Sequence, residues 1–166
     1  ASTVLESGVT LGALVAANPV GSVTVGKTRH FWAAPFEIGD EFGGLSYPSP
    51  MPADAREVRT KLNAQAGGNT TIAVIATDAV LTKAAAKRLA IAAHDGFARA
   101  IWPTHTPFDG DLVFALATGK SGIKLSPEAA IDLYAEAGAT MARAISRGVY
   151  AATAAAGDLL PAWSSR

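Results

Sequence analysis

The chain has 166 residues, 14 Lys+Arg balanced by 14 Asp+Glu, and no Cys. Its length suits one domain with a sizeable core, and 49% hydrophobic against 17% charged residues excludes a disordered chain. Balanced charge speaks against a nucleic-acid partner, the lack of Cys excludes a disulfide framework, a Cys-ligated zinc and a Cys nucleophile, and no apolar run reaches the roughly 18 residues of a membrane span.

ASTVLESGVT at the start shows neither the basic nor the apolar region of a secretory signal, so a cytoplasmic globular domain is expected. Residues 8–17, GVTLGALVAA, read as a buried strand closed by Asn18-Pro19 and Gly21, because a residue before proline is pushed out of the helical region. Ser22 to Val25 continue extended. From His30 to Pro52 the chain is rich in Gly, Pro and aromatics and reads as a long ordered loop. Its Trp32, Phe36, Phe42 and Tyr47 either pack in the core or line a cleft or subunit interface. Residues 53–65 read as a short helix ended by Ala66-Gly67-Gly68.

Asn69-Thr70-Thr71 opens the run TTIAVIATDAVL, whose β-branched residues favour a strand and whose apolar residues on both faces favour a central one. Residues 82–101 have Leu89, Ala92, Ala93, Phe97, Ala100 and Ile101 at helical spacing. LVFALATG reads as a second buried strand at 112–118. Ser126-Pro127-Glu128 starts a second helix with a capping Ser, a Pro at the first position and an acid in the first turn. It runs to about Tyr150, with Ile131, Tyr134, Met141, Ile145 and Val149 near one face. Strands alternating with helices point to an α/β or α+β sandwich.

Four places can carry chemistry. Gly67-Gly68-Asn69-Thr70-Thr71 reads as a turn leading into a strand, as an N-x-T sequon, or as a self-cleaving site. In the last reading the Thr70 hydroxyl attacks the Asn69 carbonyl, the ester hydrolyses, and the freed α-amine becomes the base for its own hydroxyl; an α-amine with a pKa near ~8 suits that task. Asp109-Gly110-Asp111 reads as a tight turn, a metal-binding pair, or two carboxylates that face one site because residues i and i+2 of an extended chain share a side. Asn18 reads as a strand-ending turn or as an amide donor to an oxyanion. His94, beside Asp95 on a helix, reads as a packed or capping residue. His105 sits in the loop before Asp109; either histidine also reads as a group supporting the site from behind, and the spacing offers no three convergent metal ligands.

GNTTIAVIAT, AAHDGFARAI, PTHTPFDGDLVFALATG and NPVG together resemble the DmpA-type N-terminal-nucleophile hydrolases, peptidase family S58 or P1 family peptidases. Thr after Asn, with Asp-Gly-Asp, is most similar to the branch of nylon-oligomer (6-aminohexanoate oligomer) hydrolases. The resemblance covers essentially the whole chain and implies a four-layer αββα sandwich. It implies Thr70 as nucleophile after cleavage between Asn69 and Thr70, Asp109 and Asp111 as supporting acids, Asn18 at the oxyanion, and no cofactor. It further implies that 1–69 ends the α part and 70–166 forms the β part of a longer precursor. The rest of the α part, with a family Lys ahead of Lys27, would be supplied from outside 1–166, and α/β heterodimers would assemble as a homo-oligomer, often a tetramer.

The expected activity is therefore hydrolysis of linear amides or short peptides, with nylon-6-type oligomers favoured by Thr70 and the Asp pair. An aminopeptidase of the same family, a non-catalytic oligomerising domain and a metal-dependent enzyme using Asp109 and Asp111 are the alternatives.

Overall fold

The run IAVIAT becomes an interior strand of a mixed sheet. The computed structural model describes residues 1–62 and 68–165. Four strands, β1 (Ser2–Val4), β2 (Thr10–Ala16), β3 (Ile72–Thr77) and β4 (Leu112–Ala117), lie side by side in that order. β1 and β2 form an antiparallel hairpin that the sequence does not announce, since β1 has only three residues. Its turn needs Gly8, whose φ of 83° lies in the left-handed region. β2 runs antiparallel to β3, whereas β3 and β4 are parallel. A parallel pair needs a crossover, and helix α1 (Lys83–Ala100) provides it.

Helix α1 begins where expected, with the Thr82 side chain accepting from the Ala85 N–H at 3.2 Å. Helix α2 (Pro127–Tyr150) starts in the same way, Ser126 accepting from the Ala129 N–H at 3.2 Å. The two helices pack against each other over the face of the sheet that carries Leu11, Ala13, Ala73 and Ile75. Leu89, Ala93, Phe97 and Ala100 of α1 and Leu133, Ala137, Met141 and Ile145 of α2 fill the space between. The apolar stripe of α2 differs at one position from expectation: Ile131 is 67% exposed and Leu133 is the buried residue.

Helices over a sheet make two layers. The opposite face of the sheet, with Leu14, Ile72, Phe114 and Leu116, is open in the described residues, where these side chains are 47–78% exposed. A four-layer sandwich requires a second sheet on that face.

The loop after His30 is ordered by its own side chains. Glu37 Oε1 accepts from the N–H groups of Phe42 and Gly44, both at 2.9 Å, and Phe42 is buried edge-on against Phe31. Phe36 packs on the core, whereas Trp32 is half-buried and Tyr47 exposed. The helix expected over 53–65 does not form over 53–61, where 53–57 make turns and a bend and 58–60 have no regular structure, and 63–65 lie outside the described residues. Tertiary contacts override local propensity there: Asp54 accepts from the Lys27 N–H at 3.0 Å, and Arg59 donates to the Gly26 carbonyl.

Candidate active site

Strand directions bring three distant segments to one end of the sheet. Because β3 and β4 are parallel, their starts lie together, with Asn69 bridged to Asp109 and Ile72 opposite Leu112. Because β2 is antiparallel to β3, its last residue, Ala16, lies opposite Ile72 and delivers Asn18 to the same place. Asn18, Asn69, Thr70, Asp109 and Asp111, scattered in the sequence, thus share one neighbourhood.

Hydrogen bonds tie them. The Thr70 N–H donates to the Asn18 carbonyl at 3.1 Å, and the Gly110 N–H donates to the Asn69 carbonyl at 2.9 Å. Asp111 Oδ1 accepts from the Thr71 N–H at 2.8 Å. Asp109 Oδ1 accepts from the Val20 N–H at 2.9 Å, and its Oδ2 accepts from the Thr106 N–H and hydroxyl at 2.9 and 2.7 Å. Each aspartate therefore clamps a different segment, Asp109 the turn after β2 and Asp111 the start of β3. Burial works to raise the Asp109 pKa, but the hydrogen bonds from Val20 and Thr106, with the His105 ring nearby, prevail and hold it below the usual carboxylate value.

The two threonines differ. Thr71 is fully buried, and its hydroxyl accepts from the Asn18 N–H at 3.4 Å. Thr70 is half-buried, and its hydroxyl lies over Gly110, where a Cβ would stand 2.8 Å from Oγ1. Only Gly leaves that hydroxyl room.

Asn18 is held from two sides. Its Nδ2 donates to the Gly68 carbonyl at 2.7 Å, and its Oδ1 accepts from Lys61 Nζ. Burial lowers the Lys61 pKa, with Asp109 pulling the other way. Asn18 and Lys61 sit at the rim of an open cavity of about 710 Å³, walled by Val15, Val149, Leu159 and Trp163; Thr70 does not line it.

His105 Nδ1 lies 3.8 Å from Asp111 Oδ2, which is buried without a hydrogen bond among the described residues. His105 has a left-handed backbone, φ 53°, and its ring stacks on Phe97. The His94 ring lies 5.6 Å from that of His105; burial and then His105 lower its pKa, with Asp111 pulling the other way. Among the described residues no group of three His, Asp or Glu is arranged to hold a metal ion.

Two contributors escaped the sequence reading. Thr106 left a trace, since Thr-x-x-Asp is a spacing at which side chains cap nearby N–H groups. Lys61 left none.

The model of peptidase family S58 matches residues 1–159. An uncharacterized aminopeptidase of Mycobacterium tuberculosis is 44% identical over 91% of this chain and 45% of its own length. One of Mycobacterium leprae is 44% identical over 95% of this chain and 45% of its own length. The chain thus spans under half the length of these curated relatives. Among solved structures, a Burkholderia sp. beta-aminopeptidase superposes with a TM-score of 0.53 at 25% identity, over 90% of this chain and 40% of that one.

Proposed function

The chain belongs to peptidase family S58, and on that premise we propose that it carries the scissile bond, the nucleophile and the supporting acids of a self-processed N-terminal-threonine hydrolase. The observation that carries this reading is the Asn69 carbonyl held by the Gly110 N–H at 2.9 Å, beside a Thr70 hydroxyl seated over the same glycine.

In the self-cleavage, Thr70 Oγ1 attacks the Asn69 carbonyl carbon, and negative charge gathers on the oxygen that Gly110 already contacts. Preorganised donors of this kind are worth more than in water because they need no reorientation. Collapse breaks the Asn69–Thr70 amide and leaves the acyl group on the Thr70 oxygen, the hydroxyl proton ending on the freed Thr70 nitrogen. Water hydrolyses that ester, leaving Asn69 as a carboxylate and Thr70 as a free α-amine. In turnover the α-amine accepts the hydroxyl proton as Thr70 attacks the substrate carbonyl and passes it to the nitrogen that leaves as the substrate C–N bond breaks; water then hydrolyses the Thr70 ester, releasing the acid and restoring the hydroxyl. The Asn18 Nδ2, which meets the Gly68 carbonyl before cleavage, donates to the substrate oxyanion. Asp109 and Asp111 keep the three segments in register. The scheme uses no cofactor.

The substrate is a linear amide or a short peptide. Thr70 with the Asp109/Asp111 pair favours nylon-6-type 6-aminohexanoate oligomers. The mycobacterial relatives named as aminopeptidases and the beta-aminopeptidase neighbour favour a substrate with a free amine equally well. Blocking the amine of a test peptide separates the two, since only the aminopeptidase reading loses turnover. The rest of the precursor completes the α part, and the processed protein is a homo-oligomer of α/β heterodimers in the cytoplasm.

Intact-mass spectrometry of the full-length protein tests the reading. The wild type is expected to split between Asn69 and Thr70, and Thr70→Ala to remain whole. A folded wild type that stays whole removes the free amine and with it the mechanism.

A further inference from the structure

We propose that Lys61 is a positioning residue that keeps the Asn18 side-chain amide turned with its NH2 group toward the reacting carbonyl; this deepens the hydrolase reading above and rests on it. A side-chain amide is nearly symmetric in shape, so its oxygen and nitrogen exchange places unless the neighbours discriminate. An ammonium group has three donors and no acceptor. Whatever part of Asn18 faces Lys61 Nζ must therefore be the oxygen, and the contact is indeed to Oδ1. The nitrogen is then left on the other side, where it donates to the Gly68 carbonyl at 2.7 Å.

Before cleavage the Gly68 carbonyl selects the same orientation. After the Asn69–Thr70 bond is cut, Gly68 lies one residue from a new chain end and is no longer joined through the backbone to β3. Lys61 is not carried away in that step. Its own N–H donates to the Val20 carbonyl at 3.1 Å, which pins it beside the turn that holds Asn18. That turn is pinned in its own right by the Val20 N–H bond to Asp109 Oδ1 at 2.9 Å. Asp109 also attracts the ammonium, against a burial that disfavours its charge. Both Asn18 and Lys61 line the open cavity, so the pair is reached from solvent, while the Thr70 N–H on the Asn18 carbonyl at 3.1 Å keeps Asn18 beside the nucleophile. Without Lys61 the amide flips freely, and for part of the time an acceptor oxygen confronts the developing oxyanion.

The test compares wild type, Lys61→Met and Lys61→Arg in the full-length processed protein, on a linear 6-aminohexanoate trimer and on an amino-acid p-nitroanilide. Removing one oxyanion donor outright costs ~100- to 1,000-fold in kcat; a donor present but misoriented for part of the time should cost less, about tenfold. Lys61→Met is expected to lose about that factor in kcat with KM little changed, and Lys61→Arg, which also only donates, to recover most of it. In an Asn18→Ala background Lys61→Met should have no further effect, because the two residues act as one unit. The inference is overturned by a Lys61→Met protein with wild-type kcat, by a change confined to KM, or by full additivity with Asn18→Ala. An uncleaved, inactive wild type overturns the hydrolase reading itself and takes this inference with it.

Discussion

Gly110 is the residue on which the geometry of the Thr70 hydroxyl turns. Its N–H holds the Asn69 carbonyl, and its missing side chain leaves the space that Thr70 Oγ1 occupies. Its backbone φ is not in the left-handed region, so Ala is tolerated by the backbone and collides only with the hydroxyl. Thr70 escapes that collision by rotating about χ1, a cheap movement that removes the hydroxyl from its place beside the carbonyl. Misplacing a reacting group by ~1 Å can cost ~100-fold in rate. Gly110→Ala is therefore expected to slow self-cleavage at least about tenfold while the melting temperature stays within a few degrees of wild type, read by mass spectrometry and thermal unfolding side by side. Normal cleavage by Gly110→Ala would show that the hydroxyl does not act from where it sits. The residues of this site were legible wherever a reactive side chain coincided with a punctuation point of the chain. Asn18 precedes Pro19, Thr70 follows the Gly-Asn turn, and Asp109 and Asp111 flank Gly110. Lys61 lies in no such pattern, and the tertiary approach of its backbone to Val20 is what brings its ammonium to Asn18. The choice of Thr70 over Thr71 likewise gains its physical basis from burial, which neighbouring identical residues do not reveal.

At the level of elements, long periodic segments read true and short or contact-driven ones did not. Both helices and three strands announced themselves through apolar spacing, and the second helix also through the cap Ser126. The strand β1 was too short to show a period, and residues 53–61 were diverted into turns by side chains reaching Gly26 and Lys27. The loop before them has its own anchor. Arg143, almost wholly buried on α2, forms a two-pronged pair with Glu41, Nη2 to Oε2 at 3.0 Å, and donates to the Ser2 carbonyl at 3.1 Å. Arg147 adds a longer contact at 3.5 Å to the same carboxylate. The Arg143 hydrogen bond outweighs burial and holds the Glu41 carboxyl below its ordinary value of 4.5. A carboxyl whose pKa is lower folded than unfolded binds more protons in the unfolded chain, so its stabilisation is complete above pH 4.5 and drains away as pH falls through the folded value. Glu41→Gln leaves the buried Arg143 charge unpaired, a class of change that costs ~3–5 kcal/mol. Chemical denaturation at pH 7 should show that loss, and the gap between variant and wild type should narrow when both are unfolded at pH 3. An equal gap at the two pH values would mean that the pair contributes through shape and not through charge.

For the whole molecule, the position of the proposed cut has a mechanical consequence. Cleavage between Asn69 and Thr70 divides the sheet down its middle, leaving β1 and β2 on one piece and β3 and β4 on the other. The seam is the antiparallel ladder from Leu11 opposite Thr77 to Ala16 opposite Ile72, roofed by α2, which packs on β2 from across the cut. Further ties cross it: Thr3 Oγ1 to Thr140 Oγ1 at 2.7 Å, Arg143 to Glu41 and Ser2, and the Phe31 ring stacked on Trp163 at 5.8 Å. Leu11 and Ala13 of the first piece are buried among Ile75, Met141 and Ile145 of the second. Separating the pieces would expose this shared core, at ~25 cal/mol for each Å² of apolar surface returned to water. Cutting one backbone bond at the end of the sheet removes none of these contacts. The processed protein is therefore expected to elute as one species in size-exclusion chromatography at neutral pH, and to resolve into two chains only in denaturant. High salt should not part them, because the shared core is apolar and screening reaches only exposed charges. Dissociation in buffer alone would mean that the ladder and core do not survive processing. The open face with Leu14, Ile72, Phe114 and Leu116 belongs to the same argument, for it draws its apolar residues from both pieces. A second sheet laid on that face, as a four-layer sandwich requires, would bridge the cut a second time.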